Sequence, residues 1–335
     1  MTEKQFATVG VIGAGAWGTA LAEVFAQKGL AVTLWAFEKD VIESVNAQHV
    51  NNLYLPSIPL HHKIVATGDM SDAFAKDIVV VVAPTQHVGK IVEAGAQYIK
   101  KDAPVLIAAK GIEITTGRLL SQIVSGLLPD HAVGVLTGPS FAAEVAKGLP
   151  AALTIAMPEQ HHALAYRLCE TLSNLHFRLY ASDDVIGAQI GGAIKNVIAI
   201  ACGIAHGKNM GDNARAALLT RGLAEMVRLG AAMGADPETF LGLSGIGDLT
   251  LTCNAMQSRN FSLGVAIGQG RRAADVLNER ASVAEGYYTA EAAKKLSDSI
   301  GIDMPICHAV YETLHKEKAI DYVIKGLLER PLKVE

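Results

Sequence analysis

Six residues near the amino terminus constrain the fold of this 335-residue chain more than any other stretch: Gly13-Ala14-Gly15-Ala16-Trp17-Gly18. They end a β-rich run, Thr8–Gly13, and open a helical pattern, Thr19–Lys28; Gly29 closes that helix and Ala31–Trp35 reads as a second strand. A glycine triplet with this spacing is weak evidence alone, but between a strand and a helix of one βαβ unit it specifies a dinucleotide-binding turn. Gly13 permits the tight turn, Gly15 lets backbone approach a pyrophosphate, and Gly18 lets the helix pack closely on the strand. The helix start offers free N–H groups and the positive end of its dipole to the phosphates. Glu38 follows Gly18 by 20 residues. That is the spacing of an acid that hydrogen-bonds the adenine ribose 2′-OH, whereas a nearby cation would accommodate a 2′-phosphate. Glu38 and its neighbour Lys39 argue in opposite directions, so NAD(H) is favoured and NADP(H) stays open. The plain alternative is that Glu38 is a solvated loop acid.

Further strands follow. The continuous apolar run Ile78–Val82 suits a parallel strand covered on both faces. Val105–Ala108, Val133–Thr137, Ala152–Ala156 and His176–Tyr180 continue the β-rich set, with helical patterns between them. This alternation predicts an α/β fold, a doubly wound and mostly parallel Rossmann sheet over residues 1–184. Ligands of such sheets bind beyond the carboxyl ends of the strands, where Lys110 and the Gly138-Pro139-Ser140 turn stand. Beyond Ser182 the strand pattern stops. Asp183 is a plausible helix N-cap, and helical patterns follow at Val185–Ala205, Ala214–Met233, Arg272–Leu277, Thr289–Ser299 and Pro305–Leu314. They predict an all-helical second domain, 185–335.

The first of those helical patterns raises a chemical question. Val185–Ala205 is long enough for a membrane span, but it carries Lys195, Asn196, Gln189 and several glycines. A helix buried on most sides within the protein is the better reading. A buried lysine costs several kcal/mol unless paired or neutralised. Either a structural carboxylate faces Lys195, or Lys195 lines a wet cleft and does chemistry. Two loops supply candidate partners: Gly245–Thr252, with Asp248 among glycines and apolar residues, and Ser258-Arg259-Asn260, a compact set of donors suited to a phosphate. Taken singly, Asp248 reads as a cap or turn residue and Arg259 as a surface arginine. Taken with Lys110 and Lys195, the set suits an anionic substrate.

Composition excludes several classes. Lys and Arg number 29 against 33 Asp and Glu, so the near-neutral balance argues against a nucleic-acid binder or stable membrane insertion. Cys169, Cys202, Cys253 and Cys307 are dispersed, with no CxxC, and read as buried thiols. The first residues lack the basic end and long apolar run of a signal peptide, and a cytoplasmic location is expected. No histidine spacing suggests a metal site, and His61-His62 reads as a solvated pair.

Across nearly its whole length the chain resembles bacterial NAD(P)-dependent glycerol-3-phosphate dehydrogenases. The resemblance rests on GAGAWGTALA at 13–22, AKGIE at 109–113, TGPSFAAEVAKGLP at 137–150, GGAIKNVIAIACG at 191–203, NARAALLTRGLAEM at 213–226, GIGDLTLTC at 245–253, QSRN at 257–260 and VAEGYYTA at 283–290. It implies reversible reduction of dihydroxyacetone phosphate to sn-glycerol 3-phosphate, the precursor of glycerophospholipids, with NAD(H) or NADP(H) and no metal. By position, Lys195 looks like the catalytic lysine. Lys110, Gly138, Ser140, Lys195, Asp248, Ser258, Arg259 and Asn260 look like substrate contacts. Gly13, Gly15, Ala16, Trp17, Gly18, Phe37, Lys110, Ala142, Arg259, Val283 and Glu285 fall at cofactor positions. Phe37 departs from the Arg or His common there, which weakens an inference of strong NADP preference. A homodimer is the default assembly. A 6-phosphogluconate-type or 3-hydroxyacid-type dehydrogenase is the nearest rival, and a non-catalytic dinucleotide sensor a more distant one.

Overall fold

The computed structural model describes residues 5–279 and 283–331. Its chain divides into two compact units. The first comprises residues 1–110 and 118–189, the second residues 111–117 and 190–335.

The first unit holds one eight-stranded sheet. The strands are β1 (Thr8–Ile12), β2 (Ala31–Trp35), β3 (Ile64–Thr67), β4 (Ile78–Val81), β5 (Val105–Ile107), β6 (Val133–Thr137), β7 (Ala151–Ala156) and β8 (Phe177–Ser182). Their order is β3-β2-β1-β4-β5-β6-β7-β8, and every pairing is parallel except β6 with β7. This is the doubly wound, mostly parallel sheet expected. Alternate residues of a strand serve different cores, as the pleat requires. Val80 joins Val9, Val11 and Leu34 under the Ala16–Gln27 and His162–Leu172 helices, while Val79 and Val81 join Ile107 and Val135 against the Val88–Gly95 and Leu120–Leu127 helices. With both faces covered, central strands read as unbroken apolar runs.

β3 is absent from the sequence-based set. It is a four-residue edge strand whose Val65 is 55% exposed, so it presents neither a long apolar run nor a clean alternation. Asp183 is not the cap expected of it. Its carboxylate pairs with His162 Nδ1 at 2.5 Å, and Asp184 Oδ1 instead accepts the Gly187 N–H at 2.8 Å.

The second unit is helical among its described residues. The Val185–Gly207 helix begins in the first unit and runs into the second. It is long and apolar enough to cross a membrane, but 83% of its most apolar window is buried within the protein. Its glycines explain part of that burial. A Cβ on Gly203 would lie 2.1 Å from Phe261 O, and one on Gly264 would lie 2.2 Å from Ile200 O. Gly207 and Gly268 repeat the arrangement one turn on. Four glycines spaced i, i+4 on two helices therefore bring the Val185–Gly207 and Arg259–Gly268 backbones together. The helices Gly211–Ala232, Glu285–Ile300 and Pro305–His315 complete much of this unit. Glu225 of the first of these is buried and accepts the N–H groups of Ile306 (2.7 Å) and Cys307 (3.1 Å), capping the Pro305–His315 helix from outside. The Ile320–Leu328 helix was not anticipated from the sequence.

Candidate active site

In the first unit the glycine turn has the form its spacing predicts. Gly13 adopts φ +120°, and a Cβ there would meet Ala83 N at 2.9 Å. A Cβ on Gly18 would fall 1.9 Å from Gly13 O. Gly15 is different: nothing lies within 4 Å of where its Cβ would be. It is the N-cap of the Ala16–Gln27 helix, with no side chain capping the turn. So Gly13 and Gly18 close the turn, and Gly15 leaves an open approach to the first N–H groups of a helix. A phosphate fits such a cradle. Ala16 and Trp17 form the first helical residues, and the Trp17 indole N–H is buried without a partner among the described residues.

The end of β2 is tied to this turn. Glu38 Oε1 accepts a hydrogen bond from Tyr54 O–H at 2.7 Å. Burial, and then the hydrogen bond and charge of Glu38, push the Tyr54 phenol up to about 12, so it stays a donor. Tyr54 N–H donates to Asn51 Oδ1 at 3.1 Å. Asn51, fully buried, donates through Nδ2 to Ala14 O and Thr19 Oγ1, both at 2.8 Å. Phe37 is 83% exposed, and Lys39 starts the Lys39–Gln48 helix.

Three further predicted residues meet at one carbonyl of the first unit. Gly138 O accepts from Lys110 Nζ at 2.8 Å and from Ser140 Oγ at 3.0 Å. Gly138 has φ +143°, and a Cβ there would meet Leu153 Cα at 2.9 Å. This is the turn after β6. Ala142 begins the short helix that follows it.

In the second unit the unexplained charge has its partners. Lys195 and Asp248 are 6% and 1% exposed, and Lys195 Nζ donates to Asp248 Oδ1 at 2.5 Å. Nζ also donates to Thr252 Oγ1 at 2.8 Å, while that hydroxyl donates to Asp248 O at 2.7 Å. The Thr252 proton is thereby committed to the backbone and its lone pair faces the ammonium. Asp248 is also the first residue of the Asp248–Cys253 helix, whose N-cap is Gly247 with no side chain capping it, so Asp248 is the partner of Lys195 and not the cap. The stretch taken for a loop is a wide helical turn at Leu243–Gly247 running into that helix. Gly245 leaves helical angles (φ −102°, ψ −108°), and a Cβ there would lie 2.1 Å from Phe240 O, which is why no helical period is legible across it.

Ser258-Arg259-Asn260 is likewise a helix start and not a loop. Ser258 is the N-cap of Arg259–Gly268, its Oγ accepting the Phe261 N–H at 3.2 Å. Asn260 is buried and donates through Nδ2 to Asn196 Oδ1 at 2.9 Å, while its Oδ1 accepts the Gly286 N–H at 2.9 Å. Asn260 thus links Asn196, beside Lys195, to the start of Glu285–Ile300, which Val283 and Glu285 adjoin. Arg259 is the exposed member of the three.

Two family models cover most of the chain. That of the NAD-dependent glycerol-3-phosphate dehydrogenase N-terminus matches residues 8–163, and that of the C-terminus residues 184–325. The chain belongs to this family. A glycerol-3-phosphate dehydrogenase (NAD(P)+) of Parvibaculum lavamentivorans is 48% identical over 327 residues, covering 98% of both chains. One from Caulobacter vibrioides is also 48% identical, over 98% of this chain and 99% of the relative. The crystal structure of the Coxiella burnetii glycerol-3-phosphate dehydrogenase superposes with a TM-score of 0.93 at 36% identity, over 97% of this chain and 99% of that one.

Within the glycerol-3-phosphate dehydrogenase frame, sequence reasoning overlooked Thr252, Asn51 and Tyr54. Thr252 stands four residues after Asp248, one helical turn, and that spacing was a usable signal once the helix was recognised. Asn51 and Tyr54 lie in an irregular segment where no periodicity marks them. All four cysteines are free and buried, as expected. No group of three or more His, Cys, Asp or Glu able to hold a metal ion occurs among the described residues.

Proposed function

We propose that this chain interconverts dihydroxyacetone phosphate and sn-glycerol 3-phosphate with NAD(P)H as the redox partner. The observation that carries the reading is the buried Lys195–Asp248–Thr252 cluster in a chain of this family. The bound nicotinamide supplies or accepts the hydride. As the ketone carbon gains that hydride its oxygen gains negative charge and needs a proton. Lys195 Nζ stabilises the charge and donates the proton; in the reverse direction it takes the proton of the alcohol. Asp248 and Thr252 hold Nζ in one place, so its orientation is set before substrate arrives.

The remaining roles follow the chemistry of the substrate. Arg259, on the first turn of its helix beside capping Ser258, suits the phosphate dianion. Asn260 and Asn196 position that helix start beside Lys195. Lys110, from the segment after β5, and Gly138 and Ser140, from the turn after β6, are substrate contacts, and Ala142, Val283 and Glu285 cofactor contacts. Gly15, Ala16 and Trp17 hold the pyrophosphate. The product would supply glycerophospholipid synthesis. Four buried free thiols suit a reducing, cytoplasmic location, and a symmetric homodimer is the simplest assembly, which sedimentation would test.

The deciding experiment is an initial-rate assay of dihydroxyacetone phosphate reduction, following nicotinamide absorbance. Turnover with the phosphorylated ketone is expected. Binding of NADH without turnover of any phosphorylated ketone would instead mark a nucleotide sensor.

A further inference from the structure

We propose that this chain selects NAD(H) over NADP(H), and that Tyr54 is the positioning residue that enforces the choice by fixing the Glu38 carboxylate at the end of β2. The inference rests on the dinucleotide reading of the glycine turn and adds a choice between two cofactors that reading leaves open.

The two cofactors differ by one phosphate on the adenine ribose. A site that accepts it needs cationic donors at the end of β2; a site that rejects it needs a carboxylate there. The residues in that position are Phe37, Glu38 and Lys39. Phe37 is exposed and offers a flat aromatic face to a base and no charge to a phosphate. Lys39 is a single ammonium on a flexible stem. Glu38 is held: Tyr54 O–H donates to Oε1 at 2.7 Å, while Oε2 makes no hydrogen bond among the described residues. That second oxygen is the acceptor a ribose 2′-OH requires.

An untethered glutamate can swing away from an incoming phosphate. Here the tether is itself anchored. Tyr54 N–H is held by Asn51 Oδ1, and Asn51 Nδ2 holds the carbonyl of Ala14 inside the glycine turn. Asn51 is fully buried. The element that seats the pyrophosphate and the carboxylate that reads the ribose are therefore parts of one hydrogen-bonded network. A 2′-phosphate would meet a fixed negative charge. Like-charge repulsion over several ångströms near a protein surface changes binding by about one to two powers of ten.

The test is equilibrium binding of NADH and of NADPH to the full chain by calorimetry, for wild type, Glu38→Gln and Tyr54→Phe, with thermal melts alongside. Wild type should bind NADH at least about tenfold more tightly. Glu38→Gln keeps an acceptor for Tyr54 and so keeps the fold; it should narrow the preference chiefly by improving NADPH binding. Tyr54→Phe should narrow it in the same direction by less, because the charge remains but is released. Equal affinity of the two nucleotides for wild type overturns the proposal and spares the dehydrogenase reading. If Tyr54→Phe weakens both nucleotides equally, or leaves the ratio at its wild-type value, the positioning role fails. If wild type binds neither nucleotide, the cofactor reading fails with it.

Discussion

The glycine turn of the first unit and the lysine cluster of the second are made from opposite materials. The turn works by what is missing: three absent side chains let backbone close on itself at Gly13 and Gly18 and leave an approach open at Gly15. The cluster works by what is present: a buried ammonium, a buried carboxylate and a hydroxyl, hydrogen-bonded to one another. A backbone site tolerates no added atom where it closes, yet depends little on charge. A side-chain site in a dry interior depends on charge pairing, because each member is costly to bury alone. The two should therefore fail differently when altered.

The largest effect expected is on turnover. Lys195→Met should lower kcat by about 10²–10⁴ through lost acid–base catalysis. Near-normal turnover in a folded Lys195→Met enzyme would reduce Lys195 to a structural role. The same substitution strands the Asp248 carboxylate, so unfolding free energy should fall by about 3–5 kcal/mol. Adding Asp248→Leu should return most of that stability and none of the activity. If the double variant is no more stable than the single one, the pair does not behave as a coupled buried ion pair.

The glycine turn can be broken in two separable ways. Gly18→Ala forces a Cβ onto Gly13 O and should destabilise the protein by about 1–3 kcal/mol or more, with nucleotide binding lost alongside. Gly15→Ala meets nothing in the protein, and its φ of −63° suits alanine. Its melting temperature should match wild type while NADH binding weakens by about tenfold or more, because the added methyl occupies the phosphate approach. A normal Kd for Gly15→Ala would mean that the pyrophosphate lies elsewhere. Equal loss of stability in both variants would erase the distinction between closing and admitting glycines.

The same contrast governs what could be read in advance. The turn was legible residue by residue because sequence spacing alone fixes backbone geometry over a few residues. The central strands were legible because burial on both faces leaves apolar runs, and β8 because its buried Phe177 and Leu179 alternate with exposed Arg178 and Tyr180; β3 was not because it is short and half-exposed at an edge. Lys195 announced itself as a charge in an apolar helix. Its partners were harder: Asp248 lies 53 residues away, and nothing local distinguishes a buried ion-pair partner from a helix cap when the residue opens a helix. Thr252 and the Asn196–Asn260 pair depend on tertiary contacts among three helices, brought close by glycines whose packing partners are equally distant in sequence. Asn51 and Tyr54 lie in irregular chain, where no period exists to be read.

The smallest effect concerns a second ion pair, in the sheet unit and near solvent. Asp77 stands just before β4. Burial alone would raise its carboxyl, but Lys100 at 2.9 Å, the N–H groups of Ala7 and Thr8 and the Thr8 hydroxyl outweigh it and hold the group at about 2. The folded value lies below the ordinary 3.8, so the linkage has one sign. The stabilisation is complete above the ordinary value and is lost as pH falls through it to about 2. The shift would correspond to about 2 kcal/mol at most, and to nearer 1 kcal/mol here because Lys100 is 43% exposed and its charge is screened. Denaturation of wild type and Asp77→Asn across acid pH measures this directly. Near neutrality wild type should be more stable by roughly that amount, and the gap should close as Asp77 protonates. A gap independent of pH would assign the stabilisation to neutral hydrogen bonds with Thr8 and Ala7. Added salt separates this pair from Lys195–Asp248: it should erode the contribution of Asp77 and leave the buried pair nearly untouched, because screening acts on charges that water reaches.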